Sequence, residues 1–265
     1  EKADIRDVYP LKQGLTNLSC HVRVGDGEYV YRHPGVGTEN LIDRDAELAG
    51  LNIARELGLD NTFITGDPKT GWKLSHFVPD CTQLDPHESG QTRRAMEMAR
   101  ALHEADATLE RSFDFYAESK RYEALLRERC GVIDVPGFED MAARMERLHD
   151  FAMTDETYTC LCHNDFFHLN FLVGKDDSIS LIDWEYAGMS DYANDFGTYT
   201  VCCELSTEEA EEALSFYFGR TPAFEEMRPN FASVAIPGWC WYDGSRMNAA
   251  ACDEVGGWLY IYCRE

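Results

Sequence analysis

Polar and apolar residues alternate on both sides of the tetrapeptide GDGE in the stretch LSCHVRVGDGEYVYRHP, Leu18 to Pro34. That period-two pattern predicts two strands, with Gly25, Asp26 and Gly27 supplying the turn. The pattern then changes period. In NLIDRDAELAGLNIARELGL the residues Leu41, Ile42, Leu48, Leu51, Ile53, Ala54 and Leu57 recur at helical spacing, and Gly58 is placed to end the helix. FITGDPKTGWKLSHFV reads as two further strands around a DPKTG turn. The sequence from Leu11 to about Val78 is therefore strand-rich with one inserted helix.

Beyond PDCTQLDPHE the texture becomes helical. SGQTRRAMEMARALHEAD, FDFYAESKRYEALLRER and FEDMAARMERLHDFA are amphipathic runs, interrupted later by three short apolar segments, TCLCH, NFLVG and SISLIDW. We expect an α+β, two-lobed chain, with a small β-rich lobe over residues 1–79 and a larger, mainly helical lobe over 80–265. The segment Val78–Asp85 is the expected hinge. No internal repeat or low-complexity tract is visible.

Composition narrows the classes. The 265 residues are 44% hydrophobic and 27% charged, the balance of a globular enzyme. Forty-eight acidic against 24 basic residues give a formal net charge of −24, which repels nucleic acid and anionic lipid and attracts a small cation. No apolar run approaches the roughly 20 residues of a membrane-spanning helix, and EKADIRDVYP has no signal-peptide core. A cytoplasmic protein is expected, with neither nucleic acid nor membrane as partner. Ten cysteines are scattered without a C-x-x-C pair, so neither disulfides nor zinc are expected.

The chemistry concentrates in CHNDFFHLNFLVGKDDSISLIDWEYAG. Short strands within a helical lobe, each ending on a polar residue, set those residues at a cleft. His163-x-Asp165-x-x-x-x-Asn170 has the spacing of a kinase catalytic loop, in which an aspartate receives a hydroxyl proton and an asparagine binds metal. Asp183 closes the apolar run SISLI and offers a hard carboxylate for Mg²⁺. The expected catalytic set is Asp165, Asn170 and Asp183, with Asn170 and Asp183 as metal ligands.

CHNDFFHLNFL followed by LIDWEYAGMSDYANDFGTY resembles the choline/ethanolamine kinase family, in its bacterial choline-kinase branch, within the wider group of aminoglycoside-phosphotransferase-like kinases. GLTNLSCHVRV is similar to that family's phosphate loop, YVYRHPGVGTENLIDRDAE to its third strand and following helix, and SHFVPDCTQL to its hinge. The resemblance runs from about Leu11 to Cys263 and is weakest in the last third. It implies a protein-kinase-like fold and transfer of the ATP γ-phosphate, with Mg²⁺, to a small cationic alcohol, most simply choline.

The resemblance also assigns roles. Gly14, Thr16 and Asn17 would meet phosphate, Phe77 and Val78 would line the nucleotide site at the hinge, and Arg32 would face the phosphates with Glu47 as its ion-pair partner. His163 would brace the loop, and Asp195 would buttress it. Glu185 and Tyr186 would join the acceptor pocket beside Asp165. Quaternary ammonium is recognised by aromatic faces, so Trp239, Trp241, Tyr260 and Tyr262 are the candidate cage, with Tyr242 and Trp258 nearby. The family's tryptophans are spaced W-x-x-W, whereas this chain has W-C-W-Y, which favours Trp241 over Trp239. Alternatives are an aminoglycoside, ethanolamine or thiamine kinase and, from another class, a catalytically silent binding protein; the chain is expected to be a monomer or homodimer.

Overall fold

The computed structural model describes residues 4–11, 17–35, 42–154 and 158–251. Gly14, Thr16, Leu41, Trp258, Tyr260 and Tyr262 lie outside the described residues, as does the side chain of Tyr242. Five antiparallel strands form the first sheet: β1 (Ile5–Leu11), β2 (Asn17–Val24), β3 (Gly27–Pro34), β4 (Phe63–Gly66) and β5 (Lys73–His76), in the order β1-β2-β3-β5-β4. The β2–β3 hairpin turns at Gly25, whose φ of 58° is the left-handed conformation that glycine adopts without strain. β1 is an addition to the sequence reading. Its residues are exposed apart from the half-buried Leu11, so this edge strand carries no apolar alternation to read.

Helix α1 (Arg44–Glu56) crosses between β3 and β4. It starts later than the periodicity suggests, because the Asp43 side chain accepts from the Ala46 backbone N–H at 3.0 Å and caps the first turn. Ile42 is buried before the helix begins. Gly50 faces Ala187, where an added Cβ would lie 2.9 Å from the Ala187 Cβ. This close approach seats α1 on the 3-10 turn Trp184–Tyr186.

The second lobe contains α2 (Ser89–His103), α3 (Phe115–Cys130), α4 (Phe138–Ala152), α5 (Ala193–Cys202), α6 (Thr207–Phe218) and α7 (Phe224–Ala251). Between α4 and α5 lie β7 (Thr159–Cys162), β8 (Phe171–Val173), β9 (Ile179–Leu181) and β10 (Gly188–Asp191). β8 and β9 form the expected hairpin. β6 (Thr82–Gln83), within the expected hinge segment, pairs with β8. β7 pairs with β10.

Buried Leu51, Leu84, Met96, Leu102, Phe166, Phe171, Trp184, Tyr199 and Leu214 belong to the main core, which joins α1, α2, α5 and α6 to the strands beneath the loop. α5 and α7 pack at backbone distance. At Gly197 on α5 a Cβ would lie 2.3 Å from the Ser233 carbonyl oxygen on α7, so only glycine fits there.

Candidate active site

β7 delivers the loop at Cys162, and β8 and β9 bring Asn170 and Asp183 back beside it. Asn170 donates from Nδ2 to both the Asp165 carbonyl and Asp165 Oδ2, each at 2.8 Å. His163 is wholly buried. Its Nδ1 accepts from the Asp165 N–H at 3.2 Å, and its Nε2 donates to the Ile182 carbonyl at 3.0 Å. Burial lowers its pKa, consistent with a neutral imidazole that braces the loop.

Asp195, at the start of α5, accepts from the His163 and Asn164 backbone N–H groups at 3.0 and 2.7 Å. His103 Nε2 lies 3.1 Å from the same carboxylate. These contacts hold Asn164 at φ 63°, and Asp183 stands at φ 70°. Two non-glycine residues in the left-handed region within one cleft are the kind of local strain that a surrounding structure must maintain.

Four carboxylates converge here. Glu47, Asp183 and Glu185 each bring an oxygen within 4.8 Å of the others, and Asp183 acts electrostatically on Asp165. Burial, then the charge of Asp183, pushes Asp165 well above the ordinary carboxylate range. The same two causes push Glu185 up to about 7. Asp183 goes the other way. Burial opposes its charge, but Arg32 and then Lys73 outweigh it and hold the carboxyl below its usual range.

The cations correct the expected pairing. Arg32 Nη1 donates to Asp183 Oδ1 at 2.6 Å, while Glu47 pairs with Lys73 and, at 3.0 Å, with Arg44. Register explains the exchange. Arg32 and Lys73 are direct cross-strand partners, so both leave the same face of the sheet; Lys73 meets buried Glu47 on α1, and Arg32 spans the cleft. Asn17 Nδ2 reaches Glu185 Oε2 at 3.4 Å rather than facing open space. Phe77 packs edge-on against His21 at 4.5 Å, and Val78 follows it, half-buried.

The aromatic candidates separate. Trp241 meets Tyr186 edge to face at 5.2 Å and Phe115 at 5.9 Å, and Phe113 contacts both Phe115 and Tyr186, which closes a ring of four aromatic side chains. Trp239 stands apart. It is 8% exposed and lies against Phe138 and Ala142 of α4, because two residues on a helix are about 200° apart. Trp239 is therefore core between α4 and α7 rather than a wall of the cleft.

Sequence reading missed Lys73, Arg111, Phe113 and Phe115. Arg111 Nη1 donates to the Glu185 carbonyl at 2.9 Å and fixes that turn. The F-D-F alternation around the α3 cap Asp114 was a signal for the two phenylalanines; nothing in the sequence marked Arg111.

A β-sheet lobe and a helical lobe, with an HxD loop, an asparagine and an aspartate gathered between them, define a kinase-like phosphotransferase architecture. The chain belongs to the phosphotransferase enzyme family, whose sequence model matches residues 7–229. It is 26% identical over 221 residues to Protein LicA of Haemophilus influenzae, covering 80% of this chain and 63% of that protein. It is 27% identical over 205 residues to ethanolamine kinase 2 of Rattus norvegicus, covering 71% of this chain and 51% of that protein. The choline kinase LicA from Streptococcus pneumoniae superposes with a TM-score of 0.84 at 22% identity, covering 98% of this chain and 92% of that one; the likeness is one of fold.

Proposed function

We propose that the protein transfers the γ-phosphate of ATP to the hydroxyl of a small amino alcohol, with choline the preferred acceptor. The observation that carries the reading is the juxtaposition of two halves of a site. Asp165, Asn170 and Asp183 gather opposite Arg32, and Tyr186 with Trp241 follows directly behind Glu185. A quaternary ammonium needs aromatic faces and a nearby anion but no hydrogen-bond acceptor, and that wall offers both.

The donor set fits Mg²⁺, a hard cation that takes oxygen ligands. Asn170 uses its amide nitrogen on Asp165, which leaves its carbonyl oxygen for the ion, and Asp183 is held ionised. Bound there, Mg²⁺ supplies positive charge against the ATP phosphates. Arg32, at 2.6 Å from Asp183, is the protein's own cation for the same phosphates. Asp165 receives the acceptor hydroxyl proton as its oxygen bonds to the γ-phosphorus and ADP leaves.

An ATP-consumption assay across choline, ethanolamine, aminoglycosides and thiamine tests this. Choline is expected to turn over with the highest kcat/KM. A faster aminoglycoside would overturn the acceptor assignment, and binding of ATP without turnover of any alcohol would point to a silent binding protein.

A further inference from the structure

Behind the loop, on the side away from the cleft, three side chains of metal-ligating type meet in the interior. Cys160 and Cys162 alternate on β7 and so project from one face, with their Sγ atoms 3.7 Å apart. His103, the last residue of α2, brings an imidazole nitrogen within 4.8 Å of both sulfurs. The three are 5%, 0% and 4% exposed. We propose that Cys160, Cys162 and His103 form a zinc site, separate from the phosphotransfer residues and tied to them through Asp195.

Geometry is the first argument. Tetrahedral zinc with Zn–S bonds of about 2.3 Å requires an S···S edge of about 3.8 Å, which the pair already meets. The ligand set is also selective, since thiolate and imidazole suit zinc and do not suit Mg²⁺. A hydrogen bond from Cys162 lowers the Cys160 pKa, while burial raises that of Cys162. Binding is Zn²⁺ plus two thiols going to a dithiolate complex plus two protons released to solvent, so the buried metal carries no net charge with its sulfur ligands.

The surroundings supply what a metal histidine needs. Nε2 of His103 is 3.1 Å from Asp195, and Nδ1 is 2.9 Å from the Tyr217 hydroxyl. With Nδ1 on the metal in place of the Tyr217 hydroxyl, Nε2 keeps Asp195, which fixes the ring. A cleft of about 430 Å³, walled in part by Tyr158, Tyr192 and Tyr217, opens beside the cluster. A C-x-C pair on a strand with a histidine from a distant helix does not match the C-x-x-C spacing, which is why no zinc signal is legible along the chain.

The full chain, stripped with chelator and reduced, is titrated with Co²⁺ in excess Mg²⁺, so that the carboxylate cleft is occupied. The expected result is one Co²⁺ per chain, a thiolate-to-cobalt charge-transfer band that Zn²⁺ abolishes, and release of about two protons per metal. Cys160→Ser and Cys162→Ser should each lose the band, and Cys130→Ser, at an exposed thiol, should keep it. Should the buried variants not fold, Zn²⁺ protection of two thiols from a thiol reagent in the wild-type chain decides the question. Absence of the band, its survival in Cys160→Ser/Cys162→Ser, or no protection would overturn the site. None of these readouts uses turnover, so failure here is distinguishable from failure of the phosphotransfer reading.

Discussion

Arg32 and Asp183 lie 151 positions apart in the chain and 2.6 Å apart across the cleft. Their side chains are 20% and 22% exposed, so this ion pair is partly shielded and joins the sheet lobe to the loop lobe. In the phosphotransfer reading Mg²⁺ and the ATP phosphates compete for the two partners, and Asp183 is the metal ligand. Asp183→Asn is expected to lower kcat by at least about 10²-fold, with the fold retained by circular dichroism. Full activity of that variant at ordinary Mg²⁺ would show that Asp183 does not hold the metal.

In the proposed mechanism, Asp165→Asn removes the group that receives the proton. An amide retains the size and one acceptor oxygen but cannot take up the hydroxyl proton, so kcat should fall by about 10²–10⁴-fold while ATP affinity changes little. Steady-state kinetics with nucleotide titration checks both halves. Near wild-type kcat would assign the base elsewhere.

The Lys73–Glu47 pair is more deeply buried than Arg32–Asp183, with side chains 11% and 3% exposed. Glu47→Ala leaves Lys73 and Arg44 without their shared anion in a poorly solvated place, which should cost about 3 kcal/mol of stability. The double variant Glu47→Leu/Lys73→Met should recover part of that loss, because it leaves no buried lysine without a partner. Urea unfolding of the two variants measures the difference. Equal stability of both would mean that the pair is solvated in solution.

Trp239 and Trp241 should part company experimentally. A desolvated cation–π contact contributes about 2 kcal/mol, roughly thirtyfold in KM. Trp241→Ala should raise KM for choline by about that factor and leave KM for ATP near its starting value. Trp239→Ala should instead lower stability by about 3–5 kcal/mol with little change in either KM. The opposite pattern would reverse the assignment of wall and core.

Glu209 provides the pH prediction. Its side chain accepts from the Ser206 backbone N–H in the α6 capping box and faces His87 in the turn just before α2. The hydrogen bonds from His87, and then from Ser206, hold its carboxyl down at about 2. A carboxyl lowered on folding stabilises above its unfolded pKa of about 4.3, and the effect is lost as pH falls through the folded value. Glu209→Gln should therefore lower Tm at neutral pH, and the difference from wild type should shrink as pH drops from about 4 toward 2. Thermal melts across that range read it directly; a constant difference would rule out the linkage.

How much was legible follows from where each signal lived. The β2–β3 hairpin and α1 carry period and turn chemistry within twenty or so residues, and the HxD loop with Asp183 is a local motif; these could be read along the chain. Lys73 could not, since it reaches Glu47 only through the β3–β5 register. The aromatic ring draws Phe113, Phe115, Tyr186 and Trp241 from three distant segments, and W-C-W looked like one feature although the helix turns its two rings to opposite sides. His103 reads simply as the end of an amphipathic helix. Its contacts with Asp195 and the two thiols exist only once α2, β7 and α5 are packed.

The missing side chain at Gly197 has a consequence for specificity. Asp195, in the first turn of α5, anchors the loop, and α7 carries Trp241, so in the proposed acceptor site the separation between the proton-accepting end and the aromatic end depends on where these two helices touch. A single methyl at position 197 would push α7 outward from its contact with the Ser233 carbonyl, 2.3 Å from that Cβ. On the proposed reading, the distance between base and cage therefore depends on a helix spacing that is fixed at a residue touching neither.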